Sequence, residues 1–295
     1  MNAQGRLRGA LRRLLGSAPA QAPGITLAPP EPVWLEAASQ TDVGTVRTNN
    51  EDAVRLLPDA GQGIRLAVLA DGMGGHACGE VASALAIDAV MAYMRTQDEQ
   101  RLTPAQWLEQ LAKAVRVANT AIWQHAQGRS ETTGMGTTLC VLSVAHGHIY
   151  WAWVGDSRLY LWQGGLLTLL TRDDTVVNRM LDDGTLTREQ AAKHPDSHVL
   201  SQALGTHETV ERINLCSRPL KLTVGDRLVM TSDGVHDLLP EEQWRACLGN
   251  QTPHAAVDAL IEAGKAAGSA DNLSAVVVDV CPPRDVSQIP AATRH

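Results

Sequence analysis

At 295 residues, with 44% hydrophobic and 19% charged side chains, the chain is long enough to bury a substantial core and has an ordinary globular balance. Its formal net charge of −7, with no basic stripe in the body, disfavours nucleic acid as a partner, and no apolar run approaches the roughly 18 residues of a membrane span. Five cysteines, an odd number with no CxxC pair, argue against a zinc site or disulfide framework and favour a reducing, cytoplasmic compartment.

Residues 1–33 differ from the rest. Arg6, Arg8, Arg12 and Arg13 are the only charged side chains before Glu31, and Leu7, Leu11, Leu14 and Leu15 recur at helical spacing. Arg12 and Arg13 interrupt the one apolar stretch that could serve as a secretory core. A Pro/Ala/Gln stretch ending in Pro29, Pro30 and Pro32 reads as a linker. Two readings stay open: a disordered tail, or a basic amphipathic segment over 1–15 touching an anionic membrane surface or an acidic partner. The expected folded unit is 34–282, with 283–295 as a C-terminal tail.

Within that unit, β-rich runs come first, around 52–57 and 64–70. Residues 78–94 follow with Ile87, Val90, Met91 and Met94 at helical spacing. Thr103-Pro104 makes an N-cap and first-turn pair for a second helix reaching about His125. Strands return at 137–144, 149–154, 159–162 and 166–170, with hairpin turns at Gly147 and at Gly164-Gly165. A polar, helix-prone stretch covers 173–193. A strand at 228–231, a helix at 253–267 and a closing strand at 273–280 complete the unit. Hairpins with helices inserted between them predict an α+β layered domain, and no βαβ repeat is present.

Four aspartates stand where an apolar run opens into a turn: Asp71 before Gly72-Met73-Gly74-Gly75, Asp156 after Gly155, Asp233 before Gly234, and Asp271 before Asn272. Glycine lets backbone carbonyls approach a ligand. Carboxylates that converge repel one another unless cations lie between them, and an all-oxygen set suits Mg²⁺ or Mn²⁺. Asp-Gly is also a common turn pair, and spacing alone does not bring the four together.

Seven motifs stand in one order over 39–280: Arg47-Thr48-Asn49-Asn50-Glu51-Asp52, Asp71-Gly72-Met73-Gly74-Gly75, Gly136-Thr137-Thr138, Gly155-Asp156-Ser157-Arg158, Ala203-Leu204-Gly205, Ser232-Asp233-Gly234 and Asp271-Asn272. The set resembles the PP2C-type (PPM) metal-dependent serine/threonine phosphatases in their bacterial form. The resemblance implies a four-layer αββα sandwich, with two antiparallel sheets face to face and helices outside. It implies two tightly bound Mn²⁺ or Mg²⁺ ions: Asp71 bridges them, the Gly72 carbonyl ligates one, Asp233 and Asp271 hold the other, Asp52 acts through water, and Glu51 supports from behind. Asp156 resembles a ligand of a weaker third ion. Arg47 resembles the arginine that clamps substrate phosphate, a task its planar fork suits. Two ions about 3.5–4 Å apart can lower the pKa of a shared water, and a bridging hydroxide would attack phosphorus in line. The implied substrates are phosphoserine and phosphothreonine proteins, with a cognate kinase or its targets as partners and a monomeric enzyme.

Some members of that family carry His directly after the first Asp-Gly, and here the residue is Met73. His76 is close, but a lone His in a Gly-rich turn is more often incidental. Asp174 stands where bacterial relatives often have His in Asp-His-Ser. Two readings of it are an added cation or substrate contact and a helix-capping acid, of which capping is the preferred. Cys78 reads as a buried helix residue, and the sequon Asn272-Leu273-Ser274 carries no weight without a secretion signal. The competing functions are a catalytically weak binding or sensing module, which the retained carboxylates disfavour, and another two-metal hydrolase such as a phosphodiesterase.

Overall fold

The computed structural model describes residues 32–74, 78–127, 132, 134–191 and 193–284. Most of the tail 1–33, His76, and 285–295 lie outside the described residues. Among the described residues, twelve strands form two antiparallel sheets. The larger sheet contains β2 (Asp52–Asp59), β3 (Gly63–Met73), β4 (Gly136–Thr137), β5 (Leu139–Ala145), β6 (His148–Val154), β9 (Asn214–Leu215) and β10 (Leu220–Lys221). Its main order is β10-β6-β5-β3-β2, with β4 on β3 and β9 on β6. The second sheet contains β1 (Trp34–Asp42), β7 (Arg158–Gln163), β8 (Leu166–Leu169), β11 (Arg227–Thr231) and β12 (Leu273–Cys281), in the order β1-β12-β11-β7-β8.

The period-2 alternation of strand side chains fixes the layers. Along β12, Val276, Val278 and Val280 join the large core between the sheets, whereas Leu273, Ala275 and Val277 join a second core under the helices. β11 divides alike, with Leu228 and Met230 on one side and Val229 on the other. On the larger sheet lie α1 (Cys78–Arg95) and α2 (Pro104–Ala126). The first buries Ala82, Ala86, Ile87, Val90, Met91 and Met94, and Cys78 is buried at its start as expected. The second begins with a complete capping box between Thr103 and Gln106 and with Pro104 in the first turn. Its Trp107 is fully buried and donates from Nε1 to Ser143 Oγ at 3.1 Å. With no Phe in the chain, Trp107, Tyr150, leucines and methionines supply the largest buried groups.

Four further helices follow in chain order: α3 (Val176–Asp182), α4 (Arg188–Ala191), α5 (Asp233–His236) and α6 (Glu241–Leu248). The last, α7 (Pro253–Ala266), packs on β1 and β12 and against α6. The result is the expected four-layer αββα sandwich.

Both predicted hairpins form. His146 and Gly147 have φ of 51° and 65°, Gly164 and Gly165 have 59° and 83°, and such left-handed pairs make the two-residue turns that match strand twist. Three local differences stand out. The stretch expected to be helical over 173–193 is two short helices separated at Gly184, whose φ is 70°. β1 has no predicted counterpart because Glu36, Ser39, Gln40 and Thr41 give an edge strand a polar look, and its pairing with β12 from Trp34↔Cys281 to Asp42↔Leu273 is what fixes it. α6 is equally unforeseen, although Trp244, Cys247 and Leu248 bury a helical stripe bounded by Pro240 and Gly249.

Candidate metal centre

The motif aspartates meet at one end of the sandwich, where both sheets open into turns. Asp52 begins β2 and Asp71 stands two residues before the end of β3, and the two are direct cross-strand partners. Like charges placed so are unfavourable in a sheet built for stability alone. Asp156 sits in the turn between β6 and β7, Asp233 starts α5 at the end of β11, and Asp271 precedes β12. A cavity of about 350 Å³ is lined by Arg47, Glu51, Asp71, Gly72, Asp156, Asp233 and Asp271, with Met73, Thr138, His198 and Leu200. Asp52 is not in that lining. It lies buried behind it and accepts a 2.8 Å hydrogen bond from Ser232 Oγ.

Backbone packing explains the glycines. A Cβ on Gly72 would stand 2.1 Å from the Gly79 carbonyl oxygen and 2.6 Å from that of Glu51, so only glycine lets β3 pass between them. Gly72 also donates its N–H to the Glu51 carbonyl at 3.1 Å. Gly155 has φ of 96°, and a Cβ there would meet the Thr138 side chain at 2.7 Å. Thr138 in turn ties two ligand positions together. It accepts from the Asp71 N–H at 3.0 Å, and its hydroxyl lies 2.7 Å from that of Ser157. Leu204 in the Ala-Leu-Gly motif exchanges backbone hydrogen bonds with Thr137 at 3.1 and 2.9 Å, docking the segment after α4 onto the same strand end.

Burial pushes the carboxyls of Asp52 and Asp156 up to about 7, and neighbouring aspartates add to the rise. For Asp52 the Ser274 and Ser232 hydroxyls pull the other way. Asp71 is held well above the usual carboxylate range by burial and then by Asp52, Asp233, Asp156 and Asp271. Asp233 is raised by burial and by Asp271 and Asp237, and its Oδ1 is buried with no hydrogen-bond partner. Glu51 is raised mainly by burial, against the pull of the Gly79 N–H and Arg47. A buried carboxylate cluster with an orphaned oxygen lacks its counter-charge, and divalent cations fit it. The donors are all oxygen, as Mg²⁺ and Mn²⁺ prefer. Among the described residues no three Asp, Glu, His or Cys side chains by themselves form a cage for one ion. Ions here would therefore rest on one or two carboxylates each, the Gly72 carbonyl and water, which is how weakly dehydrated Mg²⁺ is commonly held.

Arg47 reaches across the cavity mouth and donates from Nη2 to Asp271 Oδ2 at 2.7 Å, with both side chains well exposed. Asn272 holds the loop that carries Arg47 and Glu51. Its Nδ2 donates to the carbonyls of Val43 and Asn49, each at 2.9 Å, and its Oδ1 accepts from the Glu51 N–H at 2.9 Å.

Asp174 is not a helix cap, and it lies outside the cavity that gathers the motif aspartates. Thr175 is the N-cap of α3, accepting from the Asn178 N–H. The buried Asp174 carboxylate accepts from the Gly155 N–H at 3.1 Å, Gln202 Nε2 at 2.8 Å, Asn214 Nδ2 at 2.8 Å and Arg212 Nη2 at 3.0 Å. It thus pins the turn bearing Asp156 to the segment after α4. A larger cavity of about 430 Å³ lies beside it. The arginines there are already paired, Arg172 with Asp182, Arg179 with Glu211 and Arg212 with Asp174, so it offers little free positive charge to a phosphate. Ser232, Asn272, Thr138 and Asp237 escaped the sequence reading as individual residues. Three of them lie inside quoted motifs, Ser232 and Asn272 beside an aspartate and Thr138 in Gly136-Thr137-Thr138, which was the available signal. His198 carried none.

The sequence profile of the family described as "Protein phosphatase 2C" matches residues 44–274. The "Serine/threonine protein phosphatase PstP" of Mycobacterium tuberculosis is 39% identical over 248 residues, 83% of this chain; the chain spans only 45% of that protein's length. The "Protein phosphatase PhpP" of Streptococcus pneumoniae is 32% identical over 83% of this chain and 98% of its own. The crystal structure of the PstP catalytic domain "in complex with 2 Manganese ions" superposes with a TM-score of 0.70 at 36% identity, covering 84% of this chain and 99% of that domain. The chain belongs to the protein phosphatase 2C family.

Proposed function

We propose that this chain is a Mn²⁺- or Mg²⁺-dependent protein phosphatase that hydrolyses phosphoserine and phosphothreonine monoesters. The observation that carries the reading is the convergence of Asp71, Asp156, Asp233 and Asp271 with Arg47 and Gly72 on one cavity, backed by buried Asp52. Asp71, the Gly72 carbonyl, Asp233 and Asp271 hold two ions, Asp52 acts on them from behind through water, and Asp156 holds a weaker third. When bound, the ions activate a water and offset negative charge as the phosphoryl group is transferred. Arg47 orients the substrate by gripping two phosphate oxygens with its guanidinium fork. Glu51 keeps the β3 end in place through its carbonyl, which accepts the Gly72 N–H. The buried strand ends fix the aspartates before substrate arrives, so little reorganisation accompanies the reaction.

The substrates are phosphorylated proteins, and the natural partner is a serine/threonine kinase or its targets. No described helix is long and apolar enough to cross a membrane, and the reading places the phosphatase unit, 34–282, in the cytoplasm as a monomer. Residues 1–15 supply a basic contact for a membrane surface or acidic partner. Rates with Mn²⁺ on a phosphothreonine peptide and on bis(p-nitrophenyl) phosphate test the reaction class. Rapid turnover of the monoester with little diester cleavage is expected. A preference for the diester would make the chain a phosphodiesterase, and turnover of neither would leave the binding-module reading.

A further inference from the structure

A serine or threonine phosphoester leaves as a strongly basic alkoxide unless a proton reaches its oxygen as the P–O bond breaks. Met73, on the cavity wall, has none to give. Among the described residues one imidazole lines that cavity, His198, with Leu200 close by in the chain. The backbone just after it is fixed. The Val176 N–H donates to the Val199 carbonyl at 2.8 Å, and the Asp174 carbonyl accepts from the Ser201 N–H at 2.8 Å and its Oγ at 2.9 Å.

The ring itself is oriented. Nδ1 of His198 lies 3.1 Å from Oδ2 of Asp237. Asp237 follows α5 directly, and its N–H donates to the Asp233 carbonyl at 3.0 Å, so the His–Asp pair is built onto the same turn as an aspartate of the centre. With Nδ1 engaged by the carboxylate, Nε2 is the nitrogen left to serve the cavity. The other charged and titratable groups around the pair are His236, whose Nε2 is 3.6 Å from Asp237 Oδ1, Arg158 and Asp173 behind Asp237, and Asp156 and Asp233 across the cavity.

We propose that His198, oriented by Asp237, is the general acid that protonates the leaving serine or threonine oxygen; this rests on the phosphatase reading above. As the ester P–O bond breaks, its electron pair stays on the leaving oxygen, which takes the Nε2 proton and departs as the alcohol. Water forms the new P–O bond and releases one proton to solvent, and the imidazole regains one from solvent, so charge and atoms balance. Asp237 is a positioning residue in this scheme. His198 is largely exposed, and changing it leaves the core untouched.

The test uses the full chain with Mn²⁺ and compares a phosphothreonine peptide with p-nitrophenyl phosphate, whose leaving group is stable without a proton. His198→Gln is expected to lower kcat on the peptide by about 10²-fold with KM retained, and to change p-nitrophenyl phosphate turnover by less than about threefold. Added imidazole is expected to restore peptide turnover in His198→Ala. Equal losses on both substrates, or a peptide kcat within about threefold of wild type, would overturn the acid role while leaving the phosphatase intact. Wild-type protein inactive on both substrates would overturn the phosphatase reading and this one with it.

Discussion

Stripping divalent cations with a chelator makes the aspartate cluster visible in the pH dependence of stability. Asp52 and Asp156 move from an unfolded value of 3.8 to about 7 in the fold, because burial and neighbouring carboxylates penalise their charge. Between those values the folded state binds more protons than the unfolded one. Stability from these groups is therefore fully present below 3.8 and is lost as pH rises through about 7. Acidifying from pH 7, the midpoint, to 5.5 recovers about 1.6 kcal/mol per group at a limiting slope of about 1.36 kcal/mol per pH unit, roughly 3 kcal/mol for the pair. His236 opposes this. Burial, then Arg158, depresses its pKa well below 6.5, so its contribution is lost as pH falls through 6.5. That loss is at most about 1.4 kcal/mol by pH 5.5. Asp42, lowered by the Gly44 N–H, loses its contribution only as pH falls below its unfolded 3.8, outside this window. The balance for these groups is a gain of roughly 2 kcal/mol, or a rise in Tm of roughly 4–8 °C for a domain of this size. Differential scanning fluorimetry in EDTA over pH 5.5–8 reads it directly. Saturating Mn²⁺ should raise Tm most at the alkaline end, where the cluster is fully charged. A chelated protein whose Tm is flat or falls on acidification from pH 7 to 5.5 would refute the reasoning.

Four further outcomes are expected. Asp71→Asn should reduce phosphopeptide turnover to background yet raise the Tm of the chelated protein at pH 8, since it removes a charge that Asp52, Asp233, Asp156 and Asp271 all oppose; lost stability in this variant would contradict the repulsion. Arg47→Ala should chiefly raise KM for phosphopeptide in steady-state kinetics, because the clamp acts in ground and transition states alike. Asp156→Ala should delete a weak, fast-exchanging Mn²⁺ site from calorimetric titrations and leave the two tight sites, since an ion with few protein ligands binds loosely. Asp174→Ala leaves Gly155 N–H, Gln202, Asn214 and Arg212 without their shared acceptor, and urea unfolding should show a loss of about 2–4 kcal/mol.

The amphipathic helices and buried strands were legible because their side chains repeat with the period of the element. β1 was not, since a polar edge strand takes its identity from β12, far away in the chain. The aspartates were individually weak signals and became specific only as an ordered set with Arg47 and the glycine motifs. No spacing rule could show that Asp52 and Asp71 would be cross-strand partners or that Asp271 would meet Arg47. Asp174 shows the opposite limit. Placed next to Thr175 in a polar stretch it resembles a helix cap, and only the folded chain brings Gly155, Gln202, Arg212 and Asn214 onto its carboxylate. His198 was unremarked for the same reason, because Asp237 and the cavity reach it only through the packing of the segment after α4.

The central claim is that this aspartate cluster makes a cation-dependent phosphatase. Phosphate release from a phosphothreonine peptide, measured with EDTA and then with Mn²⁺ in excess, tests it most directly. Activity absent in EDTA, restored by Mn²⁺ in the wild type and not restored in Asp71→Asn is the result the structure predicts. Full activity in the chelated protein, or Mn²⁺-dependent activity unchanged in Asp71→Asn, would contradict it.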